Sequence, residues 1–257
     1  LSAATTAQID VHETDLHDGQ AVYGLEAPGA PIPYLNLEAI RLWAWGANDP
    51  NYPNASFSAY GLYTNVDLVN NGSIDVNSVG GIATSSEGAA DASAVAYGLY
   101  GNSGDVNNAG VVTVFATGGT ANADTPATAD ANAVAIYSSS TVTNSGSLTA
   151  VAIGGNANAS SYVHDDVVRD ATAHTYAYGV LAIDDVNNTG AITATATAGA
   201  ANADWGDADA YAYGIHTQGD VNNTGALTAI AYNTTIPTAT SSMGSAYAYG
   251  IDANGLV

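Results

Sequence analysis

One unit recurs along this chain. It opens on a Tyr-Gly strand, passes through a V-N-N-x-G turn and runs out along an alternating Ala/Thr strand. Two clean copies are Tyr176-Ala-Tyr-Gly-Val180 with Val186-Asn-Asn-Thr-Gly-Ala-Ile-Thr-Ala194, and Tyr211-Ala-Tyr-Gly-Ile215 with Val221-Asn-Asn-Thr-Gly-Ala-Leu-Thr-Ala229. Self-similarity at a period of roughly 20–50 residues indicates a solenoid or array, in which each unit buries its apolar face only by stacking on its neighbours.

The Tyr-Gly strands begin at Tyr23, Tyr60, Tyr97, Tyr178, Tyr213 and Tyr249. Aligning Ala133-Val-Ala-Ile136 with Ala94-Val-Ala-Tyr97 puts Ile136 in the tyrosine position of a degenerate copy. The successive spacings are then 37, 37, 39, 42, 35 and 36. The V-N-N segments align as well, and each is followed by one apolar residue: Ile40, Ile74, Val112, Leu148, Ile192 and Leu227. Alternate residues of a strand share a face, so stacked coils place these six in one inward column. The same parity predicts a column of Asn36, Asn108, Asn144, Asn188 and Asn223, with Asn70 and Asn71 bracketing the remaining place. Such a ladder would satisfy its own side-chain amides from coil to coil. The glycine two residues on (Gly110, Gly146, Gly190, Gly225) reads as relief for a tight bend or bulge. Parity leaves both faces open to the tyrosines, because Tyr211, Tyr213 and Ile215 share one side and Ala210, Ala212 and Gly214 the other.

These patterns predict an all-β fold, a right-handed parallel β-solenoid of six to seven coils of about 35–42 residues. Residues 1–20 precede the first Tyr-Gly and read as an extended segment or cap, available as an inter-subunit strand. Residues 21–257 carry the repeats and end in an incomplete coil. At a strand spacing of about 4.8 Å the body would stand roughly 30 Å tall.

Composition narrows the partners. Lys+Arg total 2 and Asp+Glu 24, for a formal charge of −22. Such a surface repels phosphate backbones and anionic lipid, which argues against nucleic-acid and membrane-surface partners. No run approaches the roughly 20 apolar residues of a membrane-spanning helix, so membrane insertion is not expected. The chain has no cysteine, so neither a disulfide framework nor thiolate chemistry is available. It opens on Leu1 with no signal segment, the pattern of a processed extracellular or cell-surface chain.

Val142-Thr-Asn-Ser-Gly-Ser-Leu-Thr-Ala150, and the pairing of V-N-N-T-G-A-I-T-A with A-Y-G-I, resemble the β-strand-repeat coils of autotransporter passenger domains and related bacterial surface adhesins. The resemblance covers roughly residues 20–257. It implies a β-helix, and a family of adhesins, surface-layer proteins and filaments.

Two features point to self-association. The extended start and the half coil at the end could complement one another between copies, a heterologous contact that does not close. The long strand also carries apolar residues where its outer face should be polar: Trp43 and Trp45, Phe115, Val151 and Ile153, Ile230 and Tyr232. Such a row is usually covered, either by a loop of the chain or by a neighbour. The predicted interface residues are Trp43, Trp45, Phe115, Ile230, Tyr232, Tyr247, Tyr249 and Ile251.

Calcium is the expected cofactor if there is one, since it takes six to eight oxygens. The candidate ligands are Asp204, Asp207 and Asp209, and Asp165, Asp166 and Asp170; solvated acidic loops are the alternative. For a transition metal, His12, Asp15, His17 and Asp18, or His164 with His174, lack a recognised spacing. No nucleophile elbow, P-loop, H-E-x-x-H or G-x-G-x-x-G occurs in a credible context, so the chain reads as no enzyme. Two carboxylates could still serve an inverting polysaccharide hydrolase. Ice binding needs regular Thr rows, and Arg41 and Asp75 interrupt the row of Thr113, Thr149, Thr193 and Thr228. Glycosylation sequons begin at Asn54, Asn71, Asn158, Asn187, Asn222 and Asn233. The expected function is a structural subunit of a surface filament or matrix, growing by end-to-end strand addition. The alternative is a monomeric adhesin that binds surface glycans.

Overall fold

A computed structural model describes residues 8–17, 20–27, 34–48, 53–86, 88–124, 126–159, 170–203, 205–233 and 241–257. The described residues form strands and turns with no helix. Every strand pairs in parallel with the equivalent strand of the neighbouring coils, as a β-solenoid. Each coil runs from a Tyr-Gly strand to a three-residue V-N-N strand and a long strand. Among the described residues, four coils then pass two short strands to reach the next Tyr-Gly strand.

The long sheet has seven strands, from Gln8–Leu16 to Leu227–Tyr232, and the Tyr-Gly sheet has seven, from Gln20–Ala27 to Ala246–Ala253. Gln8–Leu16 pairs in register with Ala39–Gly46, so this part of the N-terminal stretch is a coil strand of the chain itself. The ladder is interrupted between Glu13 and Leu16, where Asp15 takes a φ of 64°.

The core is thin because it is built from the small side of the Tyr-Gly strand. Ala59, Ala96, Ala133, Ala177 and Ala212 point inward and are fully buried. They face the predicted apolar column, in which Ile40, Ile74, Val112, Leu148 and Ile192 are buried. That settles the direction of the tyrosines: they line the outer face.

The glycine of the Tyr-Gly pair has a packing cause. A Cβ on Gly61 or Gly98 would overlap the side chain of Ile74 or Val112, and would also press on the carbonyl of the next coil. One coil solves the same problem differently. It carries Ala135 at the glycine position, and the facing residue is Leu148, which is not branched at Cβ.

This coil also corrects the sequence alignment. Tyr97 pairs with Val134, and Leu99 with Ile136. Val134 therefore fills the tyrosine column, while Ile136 is a buried core residue in the column of Leu62, Leu99, Val180 and Ile215. The spacings become 37, 37, 37, 44, 35 and 36, so one insertion absorbs nearly all the irregularity.

The asparagine ladder is continuous and Asn70 is its second member. Each Nδ2 donates to the Oδ1 of the next coil: Asn36 to Asn70 (2.7 Å), Asn70 to Asn108 (2.7 Å) and Asn108 to Asn144 (2.8 Å). Asn144 then donates to Asn188 (2.7 Å), and Asn188 to Asn223 (2.7 Å). Its second N–H reaches the carbonyl two residues on, as from Asn108 to Gly110 (3.2 Å). The amides are buried and satisfied, the condition for burying them without penalty.

The turn glycine owes its identity to this ladder rather than to a bulge. A Cβ on Gly110 would overlap the carbonyl oxygen of Gly72 and crowd the Asn70 amide, and Gly146, Gly190 and Gly225 repeat the clash. The first copy carries Glu38 at this position, and the sheet starts there, with no described V-N-N strand on the side where that Cβ would clash.

Candidate functional site

Three outward features carry chemistry: the tyrosine face, the apolar row of the long sheet, and a carboxylate–histidine cluster beside the Tyr-Gly sheet. On the tyrosine face, Tyr23, Tyr60 and Tyr97 stack with ring centroids 5.1 and 5.0 Å apart. Tyr63, Tyr100 and Tyr137 form a second stack at 5.3 and 4.5 Å, and Tyr97 meets Tyr100 edge-on at 5.0 Å. Beyond Val134 the stacks resume as Tyr176–Tyr211–Tyr247 and Tyr178–Tyr213–Tyr249, at 4.9–5.0 Å. The stacking partner of each ring is the next coil, so the ring faces are largely covered by one another. Burial is the main cause that pushes the Tyr97 and Tyr178 phenols well above their usual range, and the neighbouring phenols add to it. The Tyr100 phenol rises to about 12 by burial and by the nearby Tyr137.

The apolar row is as the alternation predicted. His12, Trp43, Asn77, Phe115, Val151, Thr195 and Ile230 stand in one register column. His12 stacks on Trp43 (5.6 Å) and Trp45 (6.2 Å), so the first strand of the chain covers part of the tryptophan pair. His12 is therefore placed against aromatic rings. Phe115 is 39% exposed, Tyr232 49% and Ile153 42%, and Ile230 is half-buried. Tyr247 and Tyr249 are exposed on the last Tyr-Gly strand, while Ile251 points inward and packs on the core.

Acidic residues are organised in columns. The Oδ1 of Asp67 accepts the backbone N–H of Asp105, that of Asp105 accepts Thr141, that of Asp185 accepts Asp220, and that of Asp220 accepts Leu256 (2.7–3.2 Å). A second column runs along the corner before the Tyr-Gly sheet. There Ser56 Oγ accepts the N–H of Ser93, Ser93 Oγ that of Asp130, Asp130 Oδ1 that of His174, and Asp209 Oδ1 that of Ser245.

His174 interrupts that second column with an imidazole. Its Nε2 lies 3.4 Å from Asp207 Oδ2, and its Nδ1 lies 4.0 Å from Asp130 Oδ1. Ligand atoms of His174, Asp207 and Asp209 all fall within 4.8 Å of one another. Tyr211 Oη donates to Asp209 Oδ2 at 2.9 Å. Burial raises the Asp130 carboxyl above its usual range, and the N–H of His174 opposes that rise.

Of the predicted calcium ligands, Asp207 and Asp209 meet here, with a histidine as third member. Asp170 is exposed and in register with Trp205. Asp165, Asp166 and Asp204 lie outside the described residues, as do His164 and Asp18. Asp130 and His174 come from successive coils, and only the corrected register across the long insertion aligns them. No family model, no curated protein and no solved structure matches this chain.

Proposed function

We propose that this chain is a structural protein of a surface filament or matrix outside the cell, whose coils template further coils. One observation carries the reading. The groups that would ordinarily recognise a ligand are largely engaged by the next coil: Asn amides, Tyr ring faces and Asp carboxylates all repeat at coil spacing. A coil surface so organised is complementary to another coil of the same register, whether from the same chain or from a second copy. Addition of a second copy is heterologous and open-ended. It would bury the exposed amides and carbonyls of an outer strand, which otherwise invite pairing. The likeness to autotransporter and adhesin coils, which rests on the repeat motif, is compatible with this use.

The test is the mass of the 257-residue chain by light scattering over a wide concentration range, with electron microscopy of the same samples. Growing, unbranched particles support the reading, and a monomer that persists at high concentration sinks it.

A second reading, an adhesin that binds surface glycans, draws on Trp205. This residue is 54% exposed, beside Asp170 and Asp207, and an exposed indole with nearby carboxylates suits a sugar ring. Binding to neutral glycans that is lost in Trp205→Ala, by a chain that stays monomeric, would favour it.

A further inference from the structure

We infer that His174, Asp207 and Asp209 form a divalent transition-metal site of the zinc class, clamping two adjacent coils, with Asp130 orienting the histidine from a third. The donor set points to the metal. One imidazole nitrogen with carboxylate oxygens suits zinc and its neighbours, whereas calcium takes six to eight oxygens.

The geometry is close to what the ion requires. Ligands at about 2.0–2.2 Å from a tetrahedral centre stand roughly 3.4 Å apart. The Nε2 of His174 and Oδ2 of Asp207 are already 3.4 Å apart, and all three ligand atoms lie within 4.8 Å. From within 4.8 Å to roughly 3.4 Å, Asp209 needs to close by at most about 1.4 Å on the other two.

The surroundings match what metal sites use to fix their ligands. A metal-bound histidine usually turns its other ring N–H toward a carboxylate. Asp130 Oδ1, anchored by the His174 backbone N–H at 2.7 Å, lies 4.0 Å from His174 Nδ1, beyond hydrogen-bond reach, so the ring has to turn toward it by about 1 Å for that bond to form. Asp209 is held by the backbone N–H of Ser245 (2.6 Å) and by the Tyr211 hydroxyl (2.9 Å), which leaves oxygen lone pairs for a cation. The ligands are half-buried, so a water could complete a fourth position. In the histidine's column the adjacent coils carry Asp130 and Asp209, and the coils beyond them serine, at Ser56, Ser93 and Ser245, so the arrangement occurs once rather than as a property of the repeat.

The experiment is calorimetric titration of the untagged, full chain with Zn²⁺, alongside His174→Gln, Asp207→Asn and Asp130→Asn. The expected result is one tight site per chain, with affinity at least tenfold lower in His174→Gln and Asp207→Asn. Asp130→Asn should lose about tenfold, the cost typical of a lost orienting partner. Co²⁺ added to the unmodified chain should give the intense visible bands of a four-coordinate centre, a readout that needs no variant to fold. Far-UV circular dichroism confirms that the variants retain the solenoid. The inference is overturned by the absence of Zn²⁺ binding. It is also overturned by binding that His174→Gln leaves unchanged, which would assign the ion to other exposed carboxylates and histidines. Equal affinity for Ca²⁺ and Zn²⁺ would overturn it too, by pointing to an oxygen-only site.

Discussion

Removing one rung from the middle of the asparagine ladder gives a quantitative prediction. Asn144 is fully buried; it accepts from Asn108 Nδ2 at 2.8 Å and donates to Asn188 Oδ1 at 2.7 Å. Asn144→Ala deletes both bonds, along with the longer one from its second N–H to the Gly146 carbonyl (3.4 Å). It leaves one Asn108 N–H and the Asn188 oxygen without partners, at residues that are 2% and 1% exposed. Each orphaned group costs about 1–3 kcal/mol, so the expected loss is about 2–6 kcal/mol. Asn36→Ala removes an end rung: it orphans the buried Asn70 oxygen that Asn36 met at 2.7 Å, and it releases the N–H of half-buried Glu38, which donates to Asn36 Oδ1 at 3.1 Å and is within reach of water. Its cost should be about 1–3 kcal/mol. Asn107, next to the ladder but exposed, provides the control. A solenoid need not unfold in one step. Hydrogen exchange at the V-N-N strands is therefore the better assay, with urea unfolding alongside. Loss of protection should centre on Val106–Asn108, Val142–Asn144 and Val186–Asn188. If Asn144→Ala and Asn107→Ala have equal effects, the amides do not hold the coils in the way described.

Three further outcomes are expected. Gly110→Ala should abolish or severely weaken folding, because its Cβ would overlap the Gly72 carbonyl oxygen, whereas Glu38→Ala should change the melting temperature little. Gly98→Ala should destabilise by pressing on Val112, and adding Val112→Leu should restore part of the loss, as in the natural Ala135 and Leu148 pair; equal melting temperatures for the single and double variants would refute the packing argument. The tyrosine stacks predict an alkaline transition. The folded phenols of Tyr97, Tyr100 and Tyr178 titrate above the ordinary value of about 10, so their contribution to stability is complete below that pH. It is lost as the pH rises from about 10 through their folded values. Tyrosinate absorbance and loss of the sheet circular dichroism should therefore rise together, and ionisation of all the tyrosines near pH 10 with the sheet intact would refute it.

The repeat, the inward apolar column and the asparagine ladder were legible because each depends on spacing and parity alone. The degenerate copy was misaligned by two residues for the same reason, since a shift of two keeps every side chain on its face. Tyr137 carries the missing signal: Val134-Ala-Ile-Tyr137 lines up with Tyr97-Gly-Leu-Tyr100. The tyrosine direction was hidden because it depends on contact across the core, between the Gly61 or Gly98 backbone and the Ile74 or Val112 methyls. The cluster at His174 was only half visible. Asp207 and Asp209 are neighbours in sequence, but His174 and Asp130 reach them through coil stacking, Asp130 across the longest spacing in the chain.

The central claim is that one repeat makes one coil and that successive coils stack in register. Paired spin labels along one outward column of the long sheet test it most directly. Asp75, Thr113, Thr149, Thr193 and Thr228 occupy successive coils of that column. Labels at Asp75 and Thr228 should therefore lie about 19 Å apart, four spacings of about 4.8 Å. Moving the first label from Asp75 to Arg41 should lengthen the distance by about 5 Å. Distances that rise by one strand spacing per repeat are the predicted result. Distances that do not scale with the number of repeats would contradict the stacked-coil account.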